Sequence, residues 1–136
     1  MHSHLIWDGN MGFTATGESG HPVRVDVSRE SGGSDEGARP VELVLFGLGG
    51  CTGADVVSIL RKMQVNFRKM EMDVQAERAA EHPKRFTEIK LVYRLWGEGI
   101  DLEKVKRAIE LSLEKYCSVA ASLNAAIEYG VEIKQG

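Results

Sequence analysis

The sequence predicts an α+β fold, in which strands pair into antiparallel sheets and helices are segregated from them. Two patterns support this class. In some stretches apolar and polar residues alternate, as in a strand with one buried face, and in others apolar residues recur every three or four positions, as in an amphipathic helix. Their order is three strands, helices, two strands, helices and one strand. Because hairpin-joined strands pair antiparallel, the helices are expected to cover one sheet face.

The first third of the chain has the pattern of strands and turns. Strands are predicted in "HSHLIW", "MGFTA" and "HPVRVDVS", with Val23, Val25 and Val27 on one face of the third. The turn sequences "DGN" and "GESGHP" separate them. The next segment, "SRESGGSDEGAR", is rich in glycine, serine and charge, and therefore predicts a mobile loop.

A helix is predicted to begin at Pro40, since proline suits the first helical position. The segment "FGLGGCTGAD" then places four glycines around Cys51, although a glycine inside a helix costs roughly 1 kcal/mol relative to alanine. We therefore predict a junction here, with Thr52 and Asp55 as the capping box of a second helix.

The second half continues with strands in "KMEMDVQAE" and "FTEIKLVYRLW", which the turn "EHPKR" separates. Asp101 is predicted to cap the helix "LEKVKRAIELSLEKYC". A short helix, "VAASLNAA", and a last strand, "IEYGVEIK", follow. The apolar face of the long helix is predicted to contain Leu102, Val105, Ile109, Ser112 and Tyr116.

Length and composition narrow the possible functions. The 136 residues predict a single domain, residues 1–136, and the net charge of −3 without a block of like charge argues against nucleic-acid binding. The longest apolar run is shorter than the ~20 residues of a membrane helix, and no secretory signal is evident. We therefore expect a cytoplasmic protein. The sequence has no CxxC pair and no cysteine–histidine cluster, and its histidines are scattered, so no metal site is predicted. No cofactor is predicted either.

The two cysteines, Cys51 and Cys117, lie 66 positions apart. In a cytosolic protein such a pair is more often buried, catalytic or redox-active than a permanent disulfide. If a helix begins near Thr52, its backbone N–H groups favour the reactive thiolate of Cys51, whereas Asp55 would disfavour it if its carboxylate points at the sulfur. The alternative is that Cys51 is a small buried residue and that the glycines serve packing alone.

Cys117 is predicted at the carboxyl end of a helix, where the helix dipole does not activate a thiol. By position it is therefore the poorer nucleophile. A resolving cysteine, however, needs only to reach the first sulfur after oxidation. A buried core residue is the alternative for Cys117.

The stretch "PVELVLFGLGGC", followed by a helix and then by "EKYCSVA", resembles the OsmC/Ohr family of small thiol-dependent proteins. The order of strands and helices agrees with that family over nearly the full chain. The resemblance implies an intertwined homodimer, in which antiparallel sheets from both chains wrap around two central helices. An active site would lie at each end of the dimer interface.

The resemblance also implies the reduction of organic hydroperoxides, as part of an oxidative stress response. Cys51 would attack the O–O bond and become a sulfenic acid, and Cys117 would condense with it to a disulfide. An external dithiol such as dihydrolipoamide would reduce that bond. Apolar neighbours such as Phe46, Leu48 and Met63 would favour alkyl or lipid hydroperoxides over hydrogen peroxide.

In this family a glutamate and an arginine support the reactive cysteine, and Glu42 and Arg29 are their candidates here. Glu42 lies nine residues before Cys51, where the peroxidases carry their glutamate ten before. Arg39 is an alternative to Arg29. Cys117 is followed by serine where the family peroxidases generally have proline, which resembles an OsmC-like subgroup.

Two other functions remain open. The first is a dimer that senses redox state or binds a ligand without turnover, which the departures from the family pattern favour. The second is hydrolase-type chemistry through Cys51, which is weaker because no histidine base is evident near either cysteine.

Overall fold

The computed structural model of the protein describes residues 1–135 and confirms the α+β class. The chain divides into two compact units, one formed by Met1–Phe46 and the other beginning at Gly47. Each unit contains a three-stranded sheet.

The sheet of the first unit is antiparallel, as predicted, and β2 is its central strand. Its strands are β1 (Ser3–Trp7), β2 (Phe13–Gly17) and β3 (Val23–Val25). The third strand is shorter than predicted because the chain turns at Asp26, whose side chain is buried. Many apolar side chains of this unit are exposed, among them Leu5, Ile6, Trp7, Phe13 and Val23.

The loop after β3 is organised around the carboxylate of Asp26, although its composition predicted mobility. The backbone N–H groups of Val27, Ser34 and Glu36 donate hydrogen bonds to this carboxylate at 2.8, 3.3 and 3.2 Å. These bonds, above all the one from Val27, lower the pKa of Asp26. A 3-10 turn, Arg29–Ser31, lies within the loop.

Helix α1 runs without interruption over Pro40–Lys62, so the predicted junction at the glycines is wrong. The helix begins at Pro40 as expected, and the Glu42 carboxylate accepts a hydrogen bond of 2.9 Å from the backbone N–H of Arg39. This contact satisfies one of the free donors at the helix start. Cys51 therefore lies in the middle of a long helix and not at a helix N-terminus.

The sheet of the second unit contains β4 (Lys69–Arg78), β5 (Phe86–Trp96) and β6 (Ala126–Lys134), in the order β4–β5–β6. β4 and β5 are antiparallel, whereas β6 is parallel to β5. The prediction of purely antiparallel pairing is thus wrong for the last strand. A parallel neighbour needs a long crossover, and the helices between β5 and β6 provide it.

Helix α2 covers Leu102–Leu111, and the Asp101 side chain caps it by accepting from the N–H groups of Glu103 and Lys104. The helix then widens into a π turn, Ser112–Tyr116, before the short helix α3, Ser118–Ala121. The extra residue in this turn changes the helical register. Tyr116, predicted on the apolar face, is consequently exposed.

The core of the second unit combines the central strand β5 with α1 and α2. Its largest fully buried apolar side chains are Tyr93, Leu48, Leu60, Ile89, Leu91, Leu95, Ile109, Val56 and Val105. Leu48 therefore belongs to the core and does not line an open substrate pocket.

Helix α1 is more apolar than the sequence patterns indicated. An 18-residue window within it has a mean hydropathy of 1.8, and 22% of this window is buried. By length and composition alone it could cross a membrane, but core helices of soluble proteins meet the same criterion. Its exposed apolar positions, such as Val44 and Phe46, need a covering surface.

Candidate functional site

The two cysteines meet in the second unit, together with one carboxylate. The sulfur atoms of Cys51 and Cys117 and a carboxylate oxygen of Asp55 all lie within 4.8 Å of one another. Cys51 and Asp55 are one helical turn apart on α1, a spacing that places them on the same face. Both cysteines are free thiols; Cys51 is half-buried and Cys117 is buried.

The π turn places Cys117 at this site. Its backbone N–H donates to the Ser112 carbonyl at 2.7 Å, which closes the wide turn. Its sulfur accepts a hydrogen bond of 3.4 Å from the Ala120 N–H and caps the start of α3. The expectation that Cys117 only ends a helix was therefore incomplete, because it also begins one. π turns inside helices are frequent at functional sites.

Burial raises the pKa of the Cys117 thiol, since ionisation in an apolar environment is costly. The N–H of Ala120 acts in the opposite direction, whereas the nearby Cys51 thiol raises the pKa further. At neutral pH this environment favours a protonated Cys117. Such a thiol suits the second step of a two-cysteine reaction better than the first.

A buried chain of hydroxyl groups leads from the core to Asp55. Tyr93 Oη lies 2.8 Å from Thr52 Oγ1, and Thr52 Oγ1 lies 2.8 Å from Ser112 Oγ. Ser112 Oγ donates a hydrogen bond of 2.9 Å to Asp55 Oδ2. All three hydroxyl residues are fully buried, and burial raises the pKa of Tyr93 to about 12.

The direction of this chain follows from counting protons. Each hydroxyl has one proton, and Ser112 uses its own on Asp55, so Thr52 must donate to Ser112 and Tyr93 to Thr52. Three aligned hydroxyl dipoles thus end at the carboxylate, and linked hydrogen bonds of this kind strengthen one another. The predicted capping box is therefore wrong, because the side chains of Thr52 and Asp55 take part in this hydroxyl chain and do not cap a helix.

The sequence contains one indirect signal for the hydroxyl chain. Ser112 is a polar residue at a core-facing helical position, and a buried hydroxyl needs a partner. Its partners, Thr52 and Asp55, are distant in sequence, so no local pattern could identify them.

The glycines around Cys51 fall into two groups. A β-carbon added at Gly49 would lie 3.2 Å from Val74 Cγ2, and one at Gly53 would lie 3.1 Å from the Met72 sulfur. These two glycines let α1 approach β4 closely. At Gly47 and Gly50, by contrast, an added β-carbon would meet nothing within 4 Å.

The other two predicted site residues lie in the first unit. Glu42 is bound to the N–H of Arg39, as described above, and Arg29 is exposed in the 3-10 turn. Arg39 forms an ion pair of 2.7 Å with Asp35. The support of Cys51 by Glu42 and Arg29 stays a prediction.

Comparison with known families identifies the protein class. Residues 33–132 match the model of the OsmC-like proteins. The chain belongs to the OsmC-like family. The match includes α1 and both cysteines, and so it confirms the resemblance seen in the two cysteine motifs.

The chain is also similar to individual proteins in sequence and in structure. Protein YhfA of Escherichia coli K12 is 36% identical over 127 residues, which cover 93% of this chain and 92% of YhfA. A solved protein structure from Aquifex aeolicus VF5 has a TM-score of 0.86 and 27% identity, covering 99% of this chain and 96% of that one. The organic hydroperoxide resistance protein OhrB of Bacillus subtilis has a TM-score of 0.64 and 16% identity, covering 98% of each chain, and it shows the shared fold.

Proposed function

We propose that this OsmC-like protein is a thiol-dependent peroxidase that reduces organic hydroperoxides. The observation that carries the proposal is the proximity of the Cys51 and Cys117 sulfur atoms, within 4.8 Å of each other. A disulfide has an S–S bond of about 2.05 Å, so the two sulfurs would need to approach by less than about 3 Å. The structural similarity to OhrB, whose name refers to organic hydroperoxide resistance, supports the same substrate class.

In the first step, the Cys51 thiolate attacks the terminal oxygen of the hydroperoxide and the O–O bond breaks. Cys51 becomes a sulfenic acid, and the alkoxide leaves as an alcohol after taking up a proton. The Asp55 carboxylate is within 4.8 Å of the Cys51 sulfur, and we assign it the transfer of the thiol proton. The task that the resemblance gives to Glu42 is a different one, namely to orient Cys51 and stabilise its thiolate, and Glu42 is retained for it in this proposal.

In the second step, the Cys117 sulfur attacks the sulfenic sulfur of Cys51, and a disulfide and water are formed. An external dithiol such as dihydrolipoamide then reduces the disulfide and is itself oxidised to a disulfide. One hydroperoxide and one dithiol are consumed in each cycle, and both cysteines return to thiols. Arg29 is retained as the proposed cationic partner of the site.

The proposed assembly is a homodimer of single OsmC-like domains in the cytoplasm. The exposed apolar side chains of the first sheet and the apolar helix α1 support it, because a partner chain would cover them. The family match extends over residues of both compact units, which supports one domain.

A peroxide-consumption assay tests the activity. We expect the reduced protein to consume cumene hydroperoxide continuously when dihydrolipoamide is supplied, and to consume hydrogen peroxide more slowly. The matched control is Cys51→Ser, which changes one atom and should abolish turnover. Absence of turnover in the wild-type protein, or its persistence in Cys51→Ser, would refute the proposal.

The second candidate is a redox sensor that forms the disulfide once and does not turn over. It is favoured by Ser118, which follows Cys117 where the family peroxidases have proline, and by the capping contact of Glu42. Under this alternative one equivalent of hydroperoxide would be consumed per chain, with no further loss when dithiol is added.

A further inference from the structure

The side chains at the candidate site are of the types that bind zinc. Two thiol sulfurs and one carboxylate oxygen converge within 4.8 Å, from Cys51, Cys117 and Asp55. We propose that in the reduced protein these three side chains bind Zn²⁺, or a divalent cation of similar softness, and leave the fourth coordination position open.

The spacing of the three atoms is close to what a tetrahedral ion requires. With Zn–S bonds of about 2.3 Å and Zn–O bonds of about 2.0 Å, neighbouring ligand atoms lie roughly 3.5 to 3.8 Å apart. The three ligand atoms would therefore need to move roughly 1 Å closer to one another to hold the ion. Cys51 and Asp55 are fixed one turn apart on α1, so the adjustment falls on their side-chain rotamers and on Cys117.

The ligand types select the cation. Thiolates prefer zinc and other soft or borderline ions, whereas Mg²⁺ and Ca²⁺ prefer oxygen ligands and would find only one carboxylate here. When Zn²⁺ binds, each of the two thiols loses its proton to solvent, two Zn–S bonds form, and no electron is transferred. The double positive charge of the ion offsets two of the three negative charges of the two thiolates and the carboxylate.

The surroundings already orient the ligands. Asp55 Oδ2 accepts the hydrogen bond of Ser112 at 2.9 Å, and the hydroxyl chain from Thr52 and Tyr93 supports that contact. The Cys117 sulfur accepts the Ala120 N–H at 3.4 Å. Such hydrogen bonds to ligand atoms are typical of protein metal sites, where they fix the ligand and tune its basicity.

Zinc binding would compete with the peroxidase chemistry, since both use the same sulfur electron pairs. A disulfide between Cys51 and Cys117 cannot bind the ion, and a bound ion blocks attack on a hydroperoxide. The zinc proposal does not depend on turnover, because it concerns the reduced protein without peroxide. Peroxide assays with a chelator present test the peroxidase alone.

A cobalt titration tests the site. Reduced, chelator-treated protein is titrated anaerobically with Co²⁺, whose bonds to thiolate give an intense charge-transfer band in the near ultraviolet. We expect one equivalent per chain, displacement by Zn²⁺, and release of protons on binding. Cys51→Ser and Cys117→Ser should lose the band, and Asp55→Asn should weaken binding by about tenfold or more.

The matched control is Asp101→Asn, which makes the same change at a helix cap and should leave cobalt binding unchanged. If Cys117→Ser does not fold, alkylation of Cys51 in the wild-type protein gives a second measurement, and Zn²⁺ should slow it strongly. A wild-type protein without the band, a band that survives Cys51→Ser, or alkylation insensitive to Zn²⁺ would overturn the proposal. Cobalt bound only by histidines gives no thiolate band and would also count against it.

Discussion

The hydroxyl of Ser112 donates a hydrogen bond of 2.9 Å to the carboxylate of Asp55, although 57 positions separate the two residues. This contact links the end of α2 to the helix that contains Cys51. It also ends the hydroxyl chain that begins at Tyr93. The site is therefore connected to the core through Ser112, whereas Cys51 itself is half-buried.

Replacing Ser112 by alanine should destabilise the protein. The substitution removes the acceptor of the Thr52 hydroxyl proton and the hydroxyl donor to Asp55, although Tyr93 still contacts Thr52. A buried polar group that loses its partner costs about 1–3 kcal/mol. We expect a loss of that size in the free energy of unfolding, measured with denaturant. Ser118→Ala is the matched control, since Ser118 is exposed, and it should change the free energy little. Equal stabilities of the two variants would contradict the role of the hydroxyl chain.

Replacing Cys117 by serine should stop the proposed cycle after its first step. Without the second thiol, the Cys51 sulfenic acid cannot form the internal disulfide and persists. We expect mass spectrometry with dimedone to detect one adduct, on Cys51, after treatment with an organic hydroperoxide. The wild-type protein should instead lose two hydrogens and give no adduct. A stable dimedone adduct in the wild-type protein would show that Cys117 does not resolve the intermediate.

The positions of the strands and helices could be predicted from local patterns. The direction of strand pairing and the continuity of α1 could not. Alternation identified every strand, whereas the direction of β6 depends on the crossover that precedes it. The glycines suggested a break in α1, yet the helix continues, because packing of the flanking apolar residues overrides the propensity of a few glycines.

The candidate site was predictable only in part. The sequence motifs identified Cys51 and Cys117 as a pair, but their proximity depends on the π turn after α2, which no spacing rule indicated. The four-residue spacing between Cys51 and Asp55 indicates that the carboxylate can face the Cys51 sulfur, but it says nothing about Cys117. The hydrogen bond between Asp55 and Ser112 could be identified only from the tertiary structure.

The carboxylate of Asp26 should make the protein more stable above about pH 4 than below it. Three backbone N–H groups lower the pKa of Asp26 in the folded protein below its unfolded value of about 3.9. The folded state therefore binds fewer protons, and this stabilisation is lost as the pH falls through the folded pKa. In Asp26→Asn the free energy of unfolding should depend less on pH in this range. Glu30→Gln, which removes an exposed carboxylate of the same loop, is the matched control for the substitution. An Asp26→Asn protein with the wild-type pH profile would refute this assignment.

Replacing Gly50 by valine should weaken the proposed homodimer. Within one chain an added β-carbon at Gly50 meets nothing within 4 Å, so the chain itself has room for a side chain. If α1 packs against a partner at this face, however, a β-branched side chain would clash there. We expect sedimentation velocity to show more monomer than in the wild-type protein, with a circular dichroism spectrum that retains the helical signal. Gly130→Val is the control, because Gly130 lies on β6 and also has nothing within 4 Å. A Gly50→Val protein that stays fully dimeric would place the interface elsewhere, and the open space beside Gly50 would then have no role in assembly.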